Sequence, residues 1–416
     1  MELSEISQDL DKAKPLSVLY IHHCGIFGGA SKSLFEMICA FPKGTVNPFV
    51  ITQRGSTAEY FRKNSIQVLE TKGLSQFDNS QYSYYRGLRW LIFFLRELFY
   101  VPFTVFSIFK AKRLWPSIDI IHINDITNIP SVIFSKLIFN KPIIVHVRCV
   151  QRNCLKSYRN RIITNILLKY CQEIIAIDET VRSSLSSKLS VKVIHNGFTV
   201  DAAMINNNKN LHNNFHKDKK LIIGYVGNLF RLKGIYEFLE ALRICKFKGI
   251  NVKFLIVGYK PPKSKSFKRL ILKKLKFLQD SDEDVLKLIE EFNLKNDINF
   301  MSFTHRTSQF YKQMDVICFP SHLNAVGRPV FEAAFFKVPS IVAIENPIED
   351  TIIHAQTGLC VEPKNPVALA DAIQYFYQHP DEITRMGELA YELALKNFDN
   401  NKNAKNLLEV YRNLKQ

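Results

Sequence analysis

Along this chain, short unbroken apolar runs alternate with segments whose apolar residues return at helical spacing. LSVLYI precedes SKSLFEMICAF, PFVIT precedes TAEYFRK, IDIIHI precedes PSVIFSKLIF, and PIIVHV precedes the segment 156–171. A strand that is apolar at every position is buried on both faces, as happens when helices cover a parallel sheet through right-handed crossovers. The series closes with EIIAID, a short helix and VKVIHNG, and is followed by DAAMINNNKNLHNNFHKDKK, rich in Asn and Lys and without apolar periodicity. That stretch reads as an exposed linker. A second series then begins, with LIIGYVG, VKFLIVG, INFMSF, VICFP, SIVAI and LCVE as strands and IYEFLEALRIC and PVALADAIQYFY among its helices. The predicted class is α/β, with two doubly wound Rossmann-like domains facing each other across a cleft where loops beyond the carboxyl ends of the strands hold ligands. The boundaries drawn are a polar tail at 1–15, a first domain at 16–197, a linker at 198–219, a second domain at 220–396 and a final helix at 397–416.

Composition narrows the partners. With 416 residues, 47% of them hydrophobic, the chain is long enough for two cores, and its formal charge of +18 suits phosphate-bearing ligands, an anionic membrane surface or nucleic acid. No nucleic-acid reader motif accompanies the charge, so nucleic acid is not an expected partner. The eight cysteines are scattered without zinc or disulfide spacing, and the N-terminus MELSEISQDLDKAKP has no apolar core of a signal peptide, so a cytoplasmic location is expected. The segment Leu88 to Phe109 approaches the length of a membrane span but carries Arg96, Glu97 and Pro102 in its middle, and a span is not expected. Its flanking Arg86, Arg89, Lys110, Lys112 and Arg113 fit a helix lying in the membrane interface at the inner face of the cytoplasmic membrane; a broad core helix fits equally. Eight basic residues between Lys260 and Lys276, interleaved with apolar ones, read as a basic amphipathic helix on an anionic membrane or as a solvated helix.

Candidate chemistry concentrates between Pro320 and Gly358. There a strand-like run, Val316 to Phe319, breaks at Pro320 and enters a helix marked by Pro329, where a missing N–H does no harm. The amides of Gly327, Arg328, Pro329 and Val330 frame a helix start that favours an anion, although Pro329 itself contributes none. Glu332, one turn on, points back toward that start, where its carboxylate can accept from ribose hydroxyls. In GYVGNLFRLKG, Arg231 and Lys233 sit in a strand-to-helix loop and can neutralise charge on a departing diphosphate; a solvated basic loop is the alternative. Gly28 and Gly29 either allow a ligand close to the backbone or simply make a tight turn. His122 and His146, the latter beside Arg148, reach the cleft or are hydrogen-bonded structural histidines. Asp280, Ser281 and Asp282 open a helical pattern and read as a cap more than as a metal site.

The order of GGASKSL, VIHNGF, GNLFRLKG, FLIVG, PSHLNAVGRPVFEA, VPSIVA and TGL resembles the retaining glycosyltransferases of family 4, of GT-B architecture, from about Leu16 to Phe398. The resemblance implies that Gly28 and Gly29 lie under the donor diphosphate and sugar, that Lys233 contacts the diphosphate, and that Glu332 is the ribose-binding second glutamate of a pair seven residues apart. It implies that the amides of Gly327 to Val330 face the phosphates and that the C-terminal helix crosses back to the first domain. Three positions depart from the pattern: Asn324 replaces the first glutamate, Asn228 replaces an arginine whose place Arg231 can take, and Asn124 and Arg148 stand where family histidines are common. An amide still hydrogen-bonds a sugar hydroxyl but carries no charge. The implied activity is retaining, metal-independent transfer of a sugar from a nucleoside diphosphate donor to a hydroxyl of a lipid-linked or membrane glycan, with Lys233, Arg231 and Asn324 in the catalytic set and no cofactor. Abundant Lys, Asn, Ile and Phe suggest an AT-rich bacterial genome and hence surface polysaccharide assembly. Asn324 and Asn228 keep a second reading open, a catalytically degenerate relative serving as a nucleotide-binding or membrane-associated partner subunit.

Overall fold

The computed structural model describes residues 14–81, 89–152, 157–200, 220–259, 282–302, 304 and 307–415. Most of the predicted tail and linker, the basic tract at 260–276, and Asp280 and Ser281 lie outside the described residues. The chain divides into two compact units, one formed by 1–199 with 399–416 and the other by 200–398.

In the first unit, strands β1 (Leu16–His22), β2 (Val46–Gln53), β3 (Gln67–Thr71), β4 (Ile120–Asn124), β5 (Ile143–Val147), β6 (Glu173–Ala176) and β7 (Lys192–Val193) form one parallel sheet in the order β3-β2-β1-β4-β5-β6-β7. Helices α1 (Gly29–Ala40), α2 (Ser56–Lys63), α3 (Arg89–Leu114), α4 (Ile129–Phe139), α5 (Tyr158–Tyr170) and α6 (Glu179–Ser183) occupy the crossovers. Every residue of β1, β4 and β5 is buried, as their unbroken apolar character requires. The second unit repeats the plan with β8 (Leu221–Val226), α7 (Ile235–Phe247), β9 (Val252–Tyr259), α8 (Asp282–Glu291), β10 (Ile298–Ser302), α9 (Ser308–Tyr311), β11 (Val316–Phe319), α10 (Arg328–Ala334), β12 (Ser340–Ala343), β13 (Gly358–Val361), α11 (Pro366–Gln378) and α12 (Pro380–Asn397). Its parallel sheet has the order β10-β9-β8-β11-β12-β13. In both sheets the strand order reverses beside the first strand, between β1 and β4 and between β8 and β11. Loops leaving those neighbours run in opposite directions and open a crevice at their carboxyl ends, where ligands of such sheets bind.

The last helix, α13 (Asn400–Lys415), belongs to the first unit. Its Ala404, Leu407, Leu408 and Tyr411 join the same core as Leu34, Tyr20, Ile120 and Ile144. Polar contacts fix the register: the Asn400 side-chain amide donates to the Glu36 carbonyl at 2.9 Å, and that of Asn403 donates to the His195 carbonyl at 3.1 Å. The Tyr411 hydroxyl reaches the middle of the sheet, 2.7 Å from His122 Nδ1 and 3.3 Å from the Tyr20 hydroxyl. Among the described residues His122 Nε2 has no partner, so Nδ1 makes the only side-chain hydrogen bond of that ring seen there. Tyr411→Phe is therefore expected to lower the stability of the first unit by about 1–3 kcal/mol, the penalty for orphaning a buried polar group. Both tryptophans, Trp90 and Trp115, lie in this unit, so urea denaturation followed by tryptophan fluorescence measures it.

Candidate functional site

In the second unit the reversal point is built from two loops locked together. After β8 the chain makes a single 3-10 turn, Arg231–Lys233, and passes through Gly234 at φ 75° into α7. Here glycine is required, because a Cβ would sit 1.8 Å from the Pro320 carbonyl oxygen of the opposing loop, in a backbone region that L residues rarely adopt. The opposing loop returns the contact: the His322 amide donates to the Leu232 carbonyl at 3.1 Å, the Ser321 hydroxyl to the same carbonyl at 3.3 Å, and His322 Nε2 lies 3.0 Å from Glu237 Oε2. The loop after β8 is also braced from below, with the buried Tyr225 hydroxyl donating to the Asn228 carbonyl at 2.8 Å, while the Asn228 side chain is exposed.

This bracing sets two cations at the crevice. Arg231 is exposed, its guanidinium 5.6 Å from the Tyr236 ring centre. Lys233 is partly buried, its ammonium 5.6 Å from the centre of the Phe319 ring. Among the described residues no carboxylate pairs with Lys233, and burial alone pushes its ammonium below the usual lysine range. Gly327 also packs against the Phe319 ring, where a Cβ would come within 2.4 Å of its tip. Phe319 thus carries Lys233 and also fixes where the backbone of Gly327 enters α10. Val330, one turn into α10, packs with Phe319, Val342, Ile344 and Ile352.

Glu332, expected from the sequence to face a ribose, lies on α10. It is buried, and both oxygens are engaged: Oε1 accepts from Arg328 Nε at 2.9 Å and Nη2 at 2.8 Å, and Oε2 accepts from the Thr307 hydroxyl at 3.0 Å and the Tyr311 hydroxyl at 2.8 Å. The reason is the i, i+4 spacing on α10, which lays the fork of Arg328 across the carboxylate, while Tyr311 rises from α9 beneath it. Tyr311 is held protonated, its pKa raised by burial and by the Glu332 charge. Asn324 is exposed and its side-chain oxygen accepts the Glu345 amide at 2.9 Å, so this residue fastens the loop after β12. Pro329 occupies the first turn of α10 as predicted.

In the first unit the loops at β1 and β4 gather a second polar cluster. Gly28 caps α1 in extended conformation, and a Cβ there would meet no atom within 4 Å, so no tight turn demands it. The sterically required glycines are a pair the sequence reading missed: a Cβ on Gly25 would lie 2.6 Å from the Arg54 carbonyl oxygen, and one on Gly55, at φ 141°, would lie 2.5 Å from that of Gly25. His122 and His146, candidates for the acceptor side, are instead interior, on β4 and β5 with their rings 5.4 Å apart. The pleat of their strands turns them into the sheet's covered face, where Tyr411 meets His122. Asn124 is also buried; its amide nitrogen lies 2.8 Å from His22 Nδ1 and its oxygen accepts from Arg148 Nε at 2.6 Å. Arg148, only partly buried, spans further to the Asn196 side-chain oxygen at 2.5 Å. His22 Nε2 completes the chain of contacts with the Ser31 hydroxyl at 2.9 Å.

Burial holds His22, His122 and His146 well below the usual imidazole value of 6.5, with Arg148 adding to the shift in each case. In the unfolded chain the same rings protonate near 6.5, so below that pH the unfolded state binds more protons and the fold loses stability as pH falls. Each such histidine contributes up to about 1.4 kcal/mol per pH unit in that window and nothing above it. Urea titrations from pH 7.5 down to 5.5 are expected to show this decline, with a shallower slope in His146→Gln. For the second unit, Arg328→Met strips the guanidinium from a buried carboxylate and is expected to cost about 3–5 kcal/mol, seen as a lowered thermal transition, with a smaller loss in the Glu332→Gln, Arg328→Met double variant.

Two family models match the chain: Glycosyltransferase Family 4 over residues 27–202 and Glycosyl transferases group 1 over residues 206–393. The capsular polysaccharide biosynthesis glycosyltransferase CapM of Staphylococcus aureus is 27% identical over 253 residues, 57% of this chain and 61% of CapM. The D-rhamnosyltransferase WbpZ of Pseudomonas aeruginosa is 28% identical over 173 residues, 40% of this chain and 38% of WbpZ. These alignments span less than two thirds of either relative. Among solved structures, HepE of Anabaena in complex with UDP-glucose superposes with a TM-score of 0.68 at 18% identity, covering 96% of this chain and 100% of HepE. At that identity the match speaks to the fold, two helix-flanked parallel sheets of GT-B type.

Proposed function

The chain belongs to the group 1 and family 4 glycosyltransferases, and we propose that it transfers a sugar, with retention, from a nucleoside diphosphate donor to a hydroxyl of a lipid-linked or other glycan acceptor in polysaccharide assembly. The observation that carries this reading is Lys233: a partly buried ammonium seated on an aromatic ring, without an anion among the described residues, beside the reversal point of a doubly wound sheet. A desolvated cation without a counter-ion is costly, and a diphosphate is a ligand that would relieve the cost. Similarity to CapM and WbpZ supports the polysaccharide setting, and HepE, which binds UDP-glucose, supports the donor class.

In this scheme the bond between the anomeric carbon and the diphosphate oxygen breaks with its electron pair passing to the diphosphate. Lys233 and Arg231 compensate the growing charge. The acceptor hydroxyl forms the new bond on the same face and gives its proton to the departing phosphate oxygen. Asn324 offers an amide where relatives of this family carry a carboxylate, and in this reading Glu332 reaches the ribose only if its contacts with Arg328, Thr307 and Tyr311 are shared. No metal is assigned a role.

The test uses a panel of radiolabelled nucleoside diphosphate sugars with bacterial membrane lipid extract as acceptor. A donor-dependent product is expected, with Lys233→Ala reducing turnover about 100-fold or more, the scale for removing one group that stabilises transition-state charge. Donor binding without product from any donor would instead favour a degenerate binding subunit, and absence of binding would sink both readings.

A further inference from the structure

The longest helix of the first unit is turned inside out. Helix α3 buries its polar side chains, Glu97, Thr104 and Ser107, and exposes its large apolar ones, among them Leu98 at 57%, Phe99 at 64% and Phe106 at 65%. Trp90, Leu95 and Phe109 are also exposed. The buried residues, with Ile108 and Ala111, recur at helical spacing and form one inward stripe. That stripe is fastened to the segment following β3: Glu97 Oε2 accepts the Gln76 amide at 2.6 Å and Thr104 Oγ1 accepts the Ser75 amide at 2.8 Å. Gly73 lies close under Tyr100, where a Cβ would meet the ring at 2.3 Å. Beyond the helix end, Trp115 donates through Nε1 to Gln67 at 3.0 Å. The helix is held by its polar side, while Leu98, Phe99 and Phe106 on its apolar side stay exposed.

We propose that α3 lies flat in the headgroup region of an anionic lipid bilayer and docks the first unit there. Charge decides the occupant. Helix α3 carries five basic residues, α4 one and α5 three, against a single carboxylate in the three helices, the inward-turned Glu97. The exposed guanidinium of Arg96 lies 4.8 Å from the Phe93 ring centre, and Arg113 lies 4.9 Å from that of Phe109, so cations and aromatic rings share one surface. Interleaved Trp, Phe and Leu bordered by Lys and Arg suit the boundary between acyl chains and anionic headgroups, whereas protein interfaces are depleted in lysine. By length and composition α3 could also cross a membrane. Crossing would tear Glu97 and Thr104 from Gln76 and Ser75, and would carry the charged pair of Arg96 and Glu97 into hydrocarbon. Lying in the interface keeps every one of those bonds. The inference rests on the sugar-transfer reading only for its purpose, the delivery of the protein to a lipid-linked acceptor.

The experiment uses the full chain and vesicles of phosphatidylcholine alone or with about one third phosphatidylglycerol. Cosedimentation is expected with the anionic vesicles, weakening as salt is raised and at least tenfold poorer for the Leu98→Gln, Phe99→Gln double variant. Brominated acyl chains are expected to quench the tryptophan emission of the bound wild type, and Trp90→Phe to lose most of that quenching; this readout stands even where the double variant folds poorly. No cosedimentation, bound protein with unquenched Trp90, or a soluble dimer that Leu98→Gln dissociates would each overturn the proposal. Nucleotide-sugar binding measured without vesicles fails or succeeds independently of these outcomes.

Discussion

A parallel sheet covered by helices on both faces leaves backbone open only along its two edge strands and at the ends of its strands, and this constraint organises the molecule. All thirteen strands among the described residues run in such sheets. Polar groups that face a crevice therefore sit in the loops or on the last residues of the strands, and the order reversals beside β1 and β8 give those loops room to diverge. Arg231 and Lys233 lie at one reversal, and His22, Asn124 and Arg148 cluster at the other.

The two clusters use polarity differently. At the first-unit reversal the groups satisfy one another in sequence, from Ser31 through His22 and Asn124 to Arg148 and Asn196, which makes a rigid neutral platform with one cation at its edge. At the second-unit reversal the negative charge of Glu332 is cancelled by Arg328, whereas Lys233 keeps its charge uncompensated. The replacement of a family carboxylate by Asn324 works in the same direction. The replacement of a family arginine by Asn228 works against it, so the charge at this crevice rests on Arg231 and Lys233.

Much of this was legible in the sequence. Unbroken apolar runs gave strands such as Val316–Phe319, and Pro329 marked the start of α10, because burial and backbone restriction act locally. The positions of Lys233 and Arg231 before a helix were equally readable. What escaped were relations between segments far apart in the chain. Nothing near Glu332 announces Tyr311, and nothing near Lys233 shows that Phe319 supports it or that Gly327 is small because of the same ring. His122 and His146 were left open between cleft and interior, because a sequence does not show which distant element covers a strand; for His122 it is Tyr411 of α13. Helix α3 was undecided between core and interface because an apolar periodicity does not say which side faces out; the buried Glu97 does.

The return of α13 to the first unit has a consequence for synthesis. Residues 200–398 form a contiguous unit that can complete its sheet as soon as it clears the ribosome. The first unit, although begun earlier, lacks Leu407, Leu408 and Tyr411 until the residues of α13 emerge. Its core stays unfinished for the whole time the second unit is being made, with His122 unpaired and the faces of Leu34 and Ile120 uncovered. The earlier-made half of this protein is thus the later one to mature, and the interval leaves it open to chaperones.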